Sequence, residues 1–311
     1  MRIFRYYRPV FVLSLCLVLL LLPGCGGGGG ASMADSDPPI ITPMHVLLPE
    51  APGTKTIGIP RLMLDISNTS QGYMVAQAED DGKTKNITMV SEKGGVSYSY
   101  FIPSGESVVI PFTDGSDTYE VSAFQQVEGS TYCALFVEKV SVSLENLYYP
   151  YLYPNQYVDF DDKTEACVLA QELLPEDTVD VEALDAIYDY VVTNVTYDYD
   201  KAATVEPGYL PDVDDTLHTG KGICFDYAAL MTAMLRSRDI PCRLVIGYAG
   251  SCKHAWIDVY IRNKGWVEQA IAFDGDTWER MDPTFYSSST DEEFILSYIG
   301  DGENYAAQYA H

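Results

Sequence analysis

The sequence predicts an α+β chain in which an all-β, sandwich-like part precedes a mixed part. Two observations carry this expectation. Residues from about 42 to 148 break into short runs that alternate apolar and polar residues or are rich in β-branched and aromatic ones, with turn signals between them. After residue 151 the spacing becomes helical, and a last run of strands follows the helices. Composition agrees with a folded chain: 47% of the residues are hydrophobic, and the 24 tyrosines suit extended strands.

The N-terminus reads as a targeting segment. Arg2, Arg5 and Arg8 precede a continuous apolar run from Val10 to Leu22, the plan of a secretory signal over residues 1–24. The run is short of the roughly 20 residues that a spanning helix needs, and Pro9 and Pro23 bracket it. The "LPGC" at Leu22–Cys25 resembles the lipobox of bacterial lipoproteins. That resemblance implies cleavage before Cys25 and a lipid on Cys25, so that the chain is held at the membrane on its extracytoplasmic face. Residues 25–41, glycine-rich and polar, then form a flexible tether. Each buried CH₂ of such an anchor contributes about 0.8 kcal/mol.

The first domain is expected at 42–150. Its strands are "RLMLDIS", "GYMVAQAE", "KNITMVSE", "VSYSYFI", "ESVVIPF", "TYEVSAFQQV" and "TYCALFVEKVSVSL", a number and spacing that suggest a β-sandwich. The Pro- and Tyr-rich "NLYYPYLYPNQYVDFDD" connects it to a second domain at 151–311. There, 163–174 and 181–195 have helical spacing, with Asp177 or Thr178 as cap of the second helix. A long loop, "YDYDKAATVEPGYLPDVDDTLHTGKG", leads to a helix over 224–237, and loops of this kind tend to line sites. Strands are expected at 242–248, 254–261 and 265–273. If the first two form a hairpin, Cys242 and Cys252 are out of register for a bridge.

Charge and composition exclude some functions. Asp and Glu number 45 against 19 Lys and Arg, for a net charge of −26. Such a chain repels phosphate backbones, so no nucleic-acid partner is expected. Cys16 and Cys25 belong to the N-terminus, which leaves Cys133, Cys167, Cys224, Cys242 and Cys252. That number is odd, so at least one thiol stays free. There is no CxxC and the histidines are only His45, His218, His254 and His311, so neither a metal site nor a cofactor is expected.

The chemistry gathers around "GKGICFDY", residues 220–227. Cys224, Ala228, Met231 and Leu235 share one helical stripe, which by itself favours a buried cysteine. The position argues the other way. A helix N-terminus offers free N–H groups and the positive end of the dipole, both of which support a thiolate. Gly222 gives clearance for a close approach of substrate. His254 opens a strand whose alternate faces carry His254, Trp256, Asp258, Tyr260 and Ala255, Ile257, Val259, Ile261. His218 is the rival base, but a strand holds a base more rigidly than a loop does. Asp282, held extended before Pro283, is placed to orient an imidazole.

Together, "GKGICFDYAALMTAMLRSRDIPCRLVIGY", "HAWIDVYI" and "MDPTF" resemble the core of the transglutaminase-like superfamily, a papain-type fold, over about 155–311. The resemblance implies a catalytic triad of Cys224 as nucleophile, His254 as general base and Asp282 as orienting acid. It leaves the reaction open, because the family contains transglutaminases, cysteine peptidases, amidases and inactive members. Tyr197 is the candidate for a second oxyanion donor, and Gly222 and Trp256 are the candidate substrate contacts. The reading that follows is a surface-anchored thiol enzyme cleaving or transferring acyl groups of peptide or protein amides, cell-wall-associated ones included. The alternative is a catalytically silent binding module for wall or protein partners; retention of all three triad residues speaks against it.

Overall fold

The computed structural model describes residues 45–175, 178–262, 264–268, 271–273, 278–280 and 305–311. The leader at 1–24, Cys25, the tether at 25–41, Asp177 and Asp282 lie outside the described residues. Residues 38–311 cluster as a single compact unit.

The first part is a β-sandwich. Its strands are β1 (Thr56–Ile59), β2 (Leu62–Asp65), β3 (Tyr73–Ala78), β4 (Lys85–Ser91), β5 (Ser97–Ile102), β6 (Ser107–Pro111), β7 (Thr118–Glu128) and β8 (Thr131–Ser141). They form two four-stranded sheets, in the orders β1-β2-β3-β6 and β5-β4-β7-β8, and every neighbouring pair is antiparallel. Period-two burial selects the inner faces: Ile87 and Met89 from β4, Tyr98, Tyr100 and Ile102 from β5, Leu62 and Leu64 from β2. Fully burying an aliphatic or aromatic side chain of this size contributes roughly 1.5–3 kcal/mol. Strand β1 was not expected from the sequence. It is a short edge strand with little buried surface; Gly58 within it has φ +103°, and a Cβ there would stand 2.5 Å from the Leu62 carbonyl oxygen, so the position favours glycine on both counts.

The connector's tyrosines explain its composition. The Tyr151 hydroxyl donates to the Thr113 carbonyl (2.6 Å), that of Tyr153 to Gln71 Oε1 (3.0 Å) and that of Tyr157 to the Ser99 carbonyl (2.9 Å). Each reaches back to the sandwich with a long rigid side chain that is apolar along its body and polar at its tip.

The second part contains α1 (Glu165–Leu173), α2 (Asp180–Asn194), β9 (Thr196–Tyr197), α3 (Tyr199–Thr204), α4 (Val213–Thr219), β10 (Lys221–Gly222) and α5 (Cys224–Arg236). The strands β11 (Cys242–Ala249), β12 (Cys252–Ile261), β13 (Gly265–Val267), β14 (Ile271–Phe273), β15 (Trp278–Arg280) and β16 (Tyr305–Ala310) follow. The main sheet has the order β13-β12-β11-β16, all antiparallel, and β14 pairs with β15. Helix α5 is the spine of this part. From Asp226 to Arg236 all its residues are buried, among α1, α2 and α4 on one side and β11 and β12 on the other. Its partners on β12 are Ala255, Ile257, Val259 and Ile261, the face that alternation assigns.

Three expectations need correction, and a fourth holds. The 198–220 stretch is not a plain loop, because Asp198 caps α3 by accepting from the Lys201 N–H (2.8 Å) and Asp212 caps α4 by accepting from those of Asp214 and Asp215. Gly220 then closes α4 at φ +59°. Thr178 does not cap α2: the N-terminal position is Val179, and the Thr178 hydroxyl bonds the Pro175 carbonyl instead. The 265–273 strand is two strands, β13 and β14, each with a different partner. The hairpin expectation holds in register: Cys242 faces Val259 and Cys252 faces Ala249, so the two cysteines sit at opposite ends of the hairpin and both are free.

Candidate active site

The local fold before Cys224 is a small parallel pairing. Gly222 of β10 lies opposite Tyr197 of β9, with further bonds from Thr196 N–H to the Gly220 carbonyl and from Asp198 N–H to the Gly222 carbonyl, 2.9 Å each. This holds the start of α5 beside Tyr197. Ile223, extended at φ −95° and ψ 175°, then turns the chain into the helix, and Cys224 is its first residue. The Ile223 carbonyl accepts the N–H groups of Asp226 (2.9 Å) and Tyr227 (3.1 Å), and Asp226 Oδ2 accepts the N–H of Ile223 (2.8 Å). The N–H groups of Cys224 and Phe225 are first-turn donors, which no carbonyl four residues earlier in the helix can take. They are the donors that an oxyanion next to Cys224 would meet.

His254 comes from β12, opposite Gly247 of β11, and is 6% exposed. Cys224 and His254 line the same cleft, of about 420 Å³. Tyr197 lines it as well, and so does the 205–209 segment that follows α3. The structure therefore brings together three of the residues singled out from the sequence, and it uses the long 198–220 stretch as the wall that loops of that length tend to supply.

Other residues are placed elsewhere. Gly222 is buried and does not line the cleft. A Cβ there would stand 2.7 Å from the Asp226 Cβ, so the room the glycine leaves is taken by Asp226, not by a substrate. Trp256 is buried too, and its ring packs edge-on to Tyr305 with centroids 5.2 Å apart. His218 is exposed on α4, paired with Glu165 at 2.8 Å, and does not line the cleft. Asp282 lies outside the described residues. Tyr209 and Phe225, which line the cleft, were not singled out; the Pro207-Gly208 turn, with Gly208 at φ +91°, is the sequence signal that the chain folds back there.

The remaining cysteines set Cys224 apart. Cys167 and Cys242 are buried, and desolvation pushes both thiols up to about 12. Cys133 and Cys252 are exposed. Of the described cysteines, Cys224 is the one that lines the cleft. No group of His, Cys, Asp and Glu among the described residues has the arrangement of a metal site.

Residues 168–283 match the family described as the transglutaminase-like superfamily. Among curated proteins, the chain is 26% identical over 236 residues to the uncharacterized protein YebA of Bacillus subtilis (strain 168), a match covering 68% of this chain. It spans only 29% of that relative's length. Among solved structures, the chain is similar to a candidate cysteine protease from Cytophaga hutchinsonii (16% identity, 77% of this chain and 79% of that one, TM-score 0.37). It is also similar to the periplasmic domain of TgpA from Pseudomonas aeruginosa (16% identity, 76% of each chain, TM-score 0.33) and to red sea bream transglutaminase (11% identity, 70% of this chain and 53% of that one, TM-score 0.32).

Proposed function

Starting from a transglutaminase-like superfamily domain at residues 168–283, we propose that the chain is a thiol enzyme acting on peptide or protein amides. The observation that carries the proposal is the meeting of Cys224, at the first position of α5, with His254, from β12, in one cleft. In this reading the Cys224 thiol gives its proton to His254 and the sulfur attacks the amide carbonyl. A C–S bond forms, and the carbonyl oxygen takes the negative charge beside the first-turn N–H groups of α5. The C–N bond then breaks, the amine leaves with the proton from His254, and a thioester on Cys224 remains. Water or a second amine attacks that thioester, with His254 accepting its proton; the C–S bond breaks, the acid or new amide leaves, and the Cys224 sulfur takes the proton back from His254. Asp282 holds the imidazole tautomer, and Tyr197 is the candidate for a further oxyanion donor.

The proposal includes the setting: a lipid on Cys25 and a tether over 25–41 hold the domain at the extracytoplasmic face of a cell membrane, where peptides and wall-associated proteins are the available amides. A peptide library supplied together with a labelled primary amine separates the two outcomes of the thioester. Cut peptides mean transfer to water, and labelled peptides mean transfer to an amine. Neither product, or equal product from Cys224→Ala, overturns the enzyme reading.

A further inference from the structure

At the wall of the cleft lies an ionic cluster, centred on a buried carboxylate, that the chemistry above does not use. Asp226, in the first turn of α5, is fully buried. Its Oδ2 accepts both the N–H of Ile223 and the Lys201 Nζ, each at 2.8 Å, and its Oδ1 accepts the Tyr209 hydroxyl at 2.5 Å. Lys201 Nζ also sits over the Tyr209 ring, 4.5 Å from its centroid. Lys201 belongs to α3, and Tyr209 ends the 205–209 segment that walls the cleft. One carboxylate therefore joins three separate pieces: the turn before Cys224, the short helix α3 and the cleft wall.

Nothing about helix capping requires this arrangement. An Asp at this position satisfies the Ile223 N–H with one oxygen and remains exposed to water in an ordinary cap. Here it is dry, and a buried carboxylate is costly unless it is fully paired. Lys201 supplies the charge and Tyr209 the second donor. Burial and the neighbouring Asp226 push the Tyr209 hydroxyl up to about 12, so it stays protonated and remains a donor. The glycine at 222 leaves the space that the Asp226 side chain occupies.

We infer that Asp226 is a positioning residue. With Lys201 and Tyr209 it fixes the cleft wall at 205–209 relative to Cys224, so that a bound peptide meets the sulfur in register. The inference rests on the thiol-enzyme reading and adds to it the group that aligns substrate with nucleophile. A role of this sort acts on large ligands that touch the wall and not on small ones that reach only the sulfur.

The full chain is tested with two alkylating probes, iodoacetamide and an apolar dipeptidyl chloromethyl ketone. Tyr209→Phe keeps the ring in the wall and removes only the hydroxyl that Asp226 accepts. It is expected to slow the peptidyl probe about tenfold more than iodoacetamide, and through the limiting rate of the bound probe more than through its saturation constant, as fits a wall that sets register and has lost one hydrogen bond to a charged group. Lys201→Met is expected to act in the same direction, and the double variant to lose less than the product of the two, since both act through one carboxylate. Equal slowing of both probes in Tyr209→Phe, or no slowing of either, overturns the positioning role. If Cys224 in the unaltered protein does not react selectively with iodoacetamide, the thiol-enzyme reading fails and this inference falls with it.

Discussion

Gly222 and Asp226 are packed so closely that a Cβ on residue 222 would lie 2.7 Å from the Asp226 Cβ and 3.2 Å from its Oδ2. Gly222→Ala must push the carboxylate out of its site or shift the first turn of α5. Overpacking of a buried site costs roughly 1–3 kcal/mol. At roughly 2–4 °C per kcal/mol for a chain of this size class, the melting temperature falls by about 2–12 °C. A thermal melt of Gly222→Ala that overlays the parent contradicts this packing.

The five described cysteines divide by burial into an accessible and an enclosed group. Cys167 and Cys242 are enclosed, with thiols pushed up to about 12, whereas Cys133 and Cys252 are exposed and Cys224 opens on the cleft. Limited alkylation of folded protein followed by peptide mass spectrometry should mark Cys133, Cys224 and Cys252 and spare the other two until denaturant is added. Early modification of Cys242 would mean that the C-terminal end of α5 opens far more readily than its packing implies.

His311 makes stability depend on acidity. Its ring is enclosed, stacked on Tyr157 with centroids 3.8 Å apart, and burial, together with the nearby Arg236 charge, lowers its pKa to about 3. The unfolded chain takes up a proton near pH 6.5 and the folded chain does not. The unfolded state therefore binds more protons between about pH 6.5 and 3, and stability falls as pH drops through that window. Between pH 7 and 5 the loss due to this group is on the order of 1–2 kcal/mol. Urea unfolding at the two pH values should show a smaller loss in His311→Phe than in the parent; the same loss in both excludes His311 as the source.

Arg236 is a buried structural cation held by main-chain oxygens. Its guanidinium donates to the carbonyls of Cys242 (3.0 and 2.8 Å), Tyr153 (2.7 Å) and His311 (2.8 Å), which ties the end of α5 to the connector and to β11 and β16. Lysine lacks the fork geometry, so Arg236→Lys leaves carbonyls unpaired in a dry site and is expected to cost roughly 2–4 kcal/mol. Chemical denaturation measures this, and a loss below about 1 kcal/mol would mean that the site admits water.

Much of this architecture was legible in the sequence because local pattern and tertiary demand agree. All seven strand runs between 61 and 144 appear, and the alternation is plainest in β4, β5 and β7, which bury every second residue over most of their length. Helix α5 and the β11–β12 hairpin appear at nearly the expected boundaries. The short elements were not legible. Strand β1 buries too little to leave a pattern, and α3 and α4 are shorter than two helical turns of apolar periodicity. Their caps, Asp198 and Asp212, were present but not decisive in a stretch rich in aspartate. At the site, Cys224 and His254 could be found because each stands out in a patterned element. Asp226 could not, because its three partners come from 201, 209 and 223 and meet only through the fold. The crowding at Gly222 is hidden for the same reason: it comes from a side chain four residues on.

In the proposed reaction Cys224 is the nucleophile and His254 its base. The most direct measurement is the rate of iodoacetamide alkylation of each cysteine near pH 6, resolved by peptide mass spectrometry. Cys224 should react at least about tenfold faster than the exposed Cys133 and Cys252, and His254→Ala should abolish that advantage. If Cys224 reacts no faster than Cys133, or keeps its rate in His254→Ala, the two residues share a cleft without sharing a mechanism.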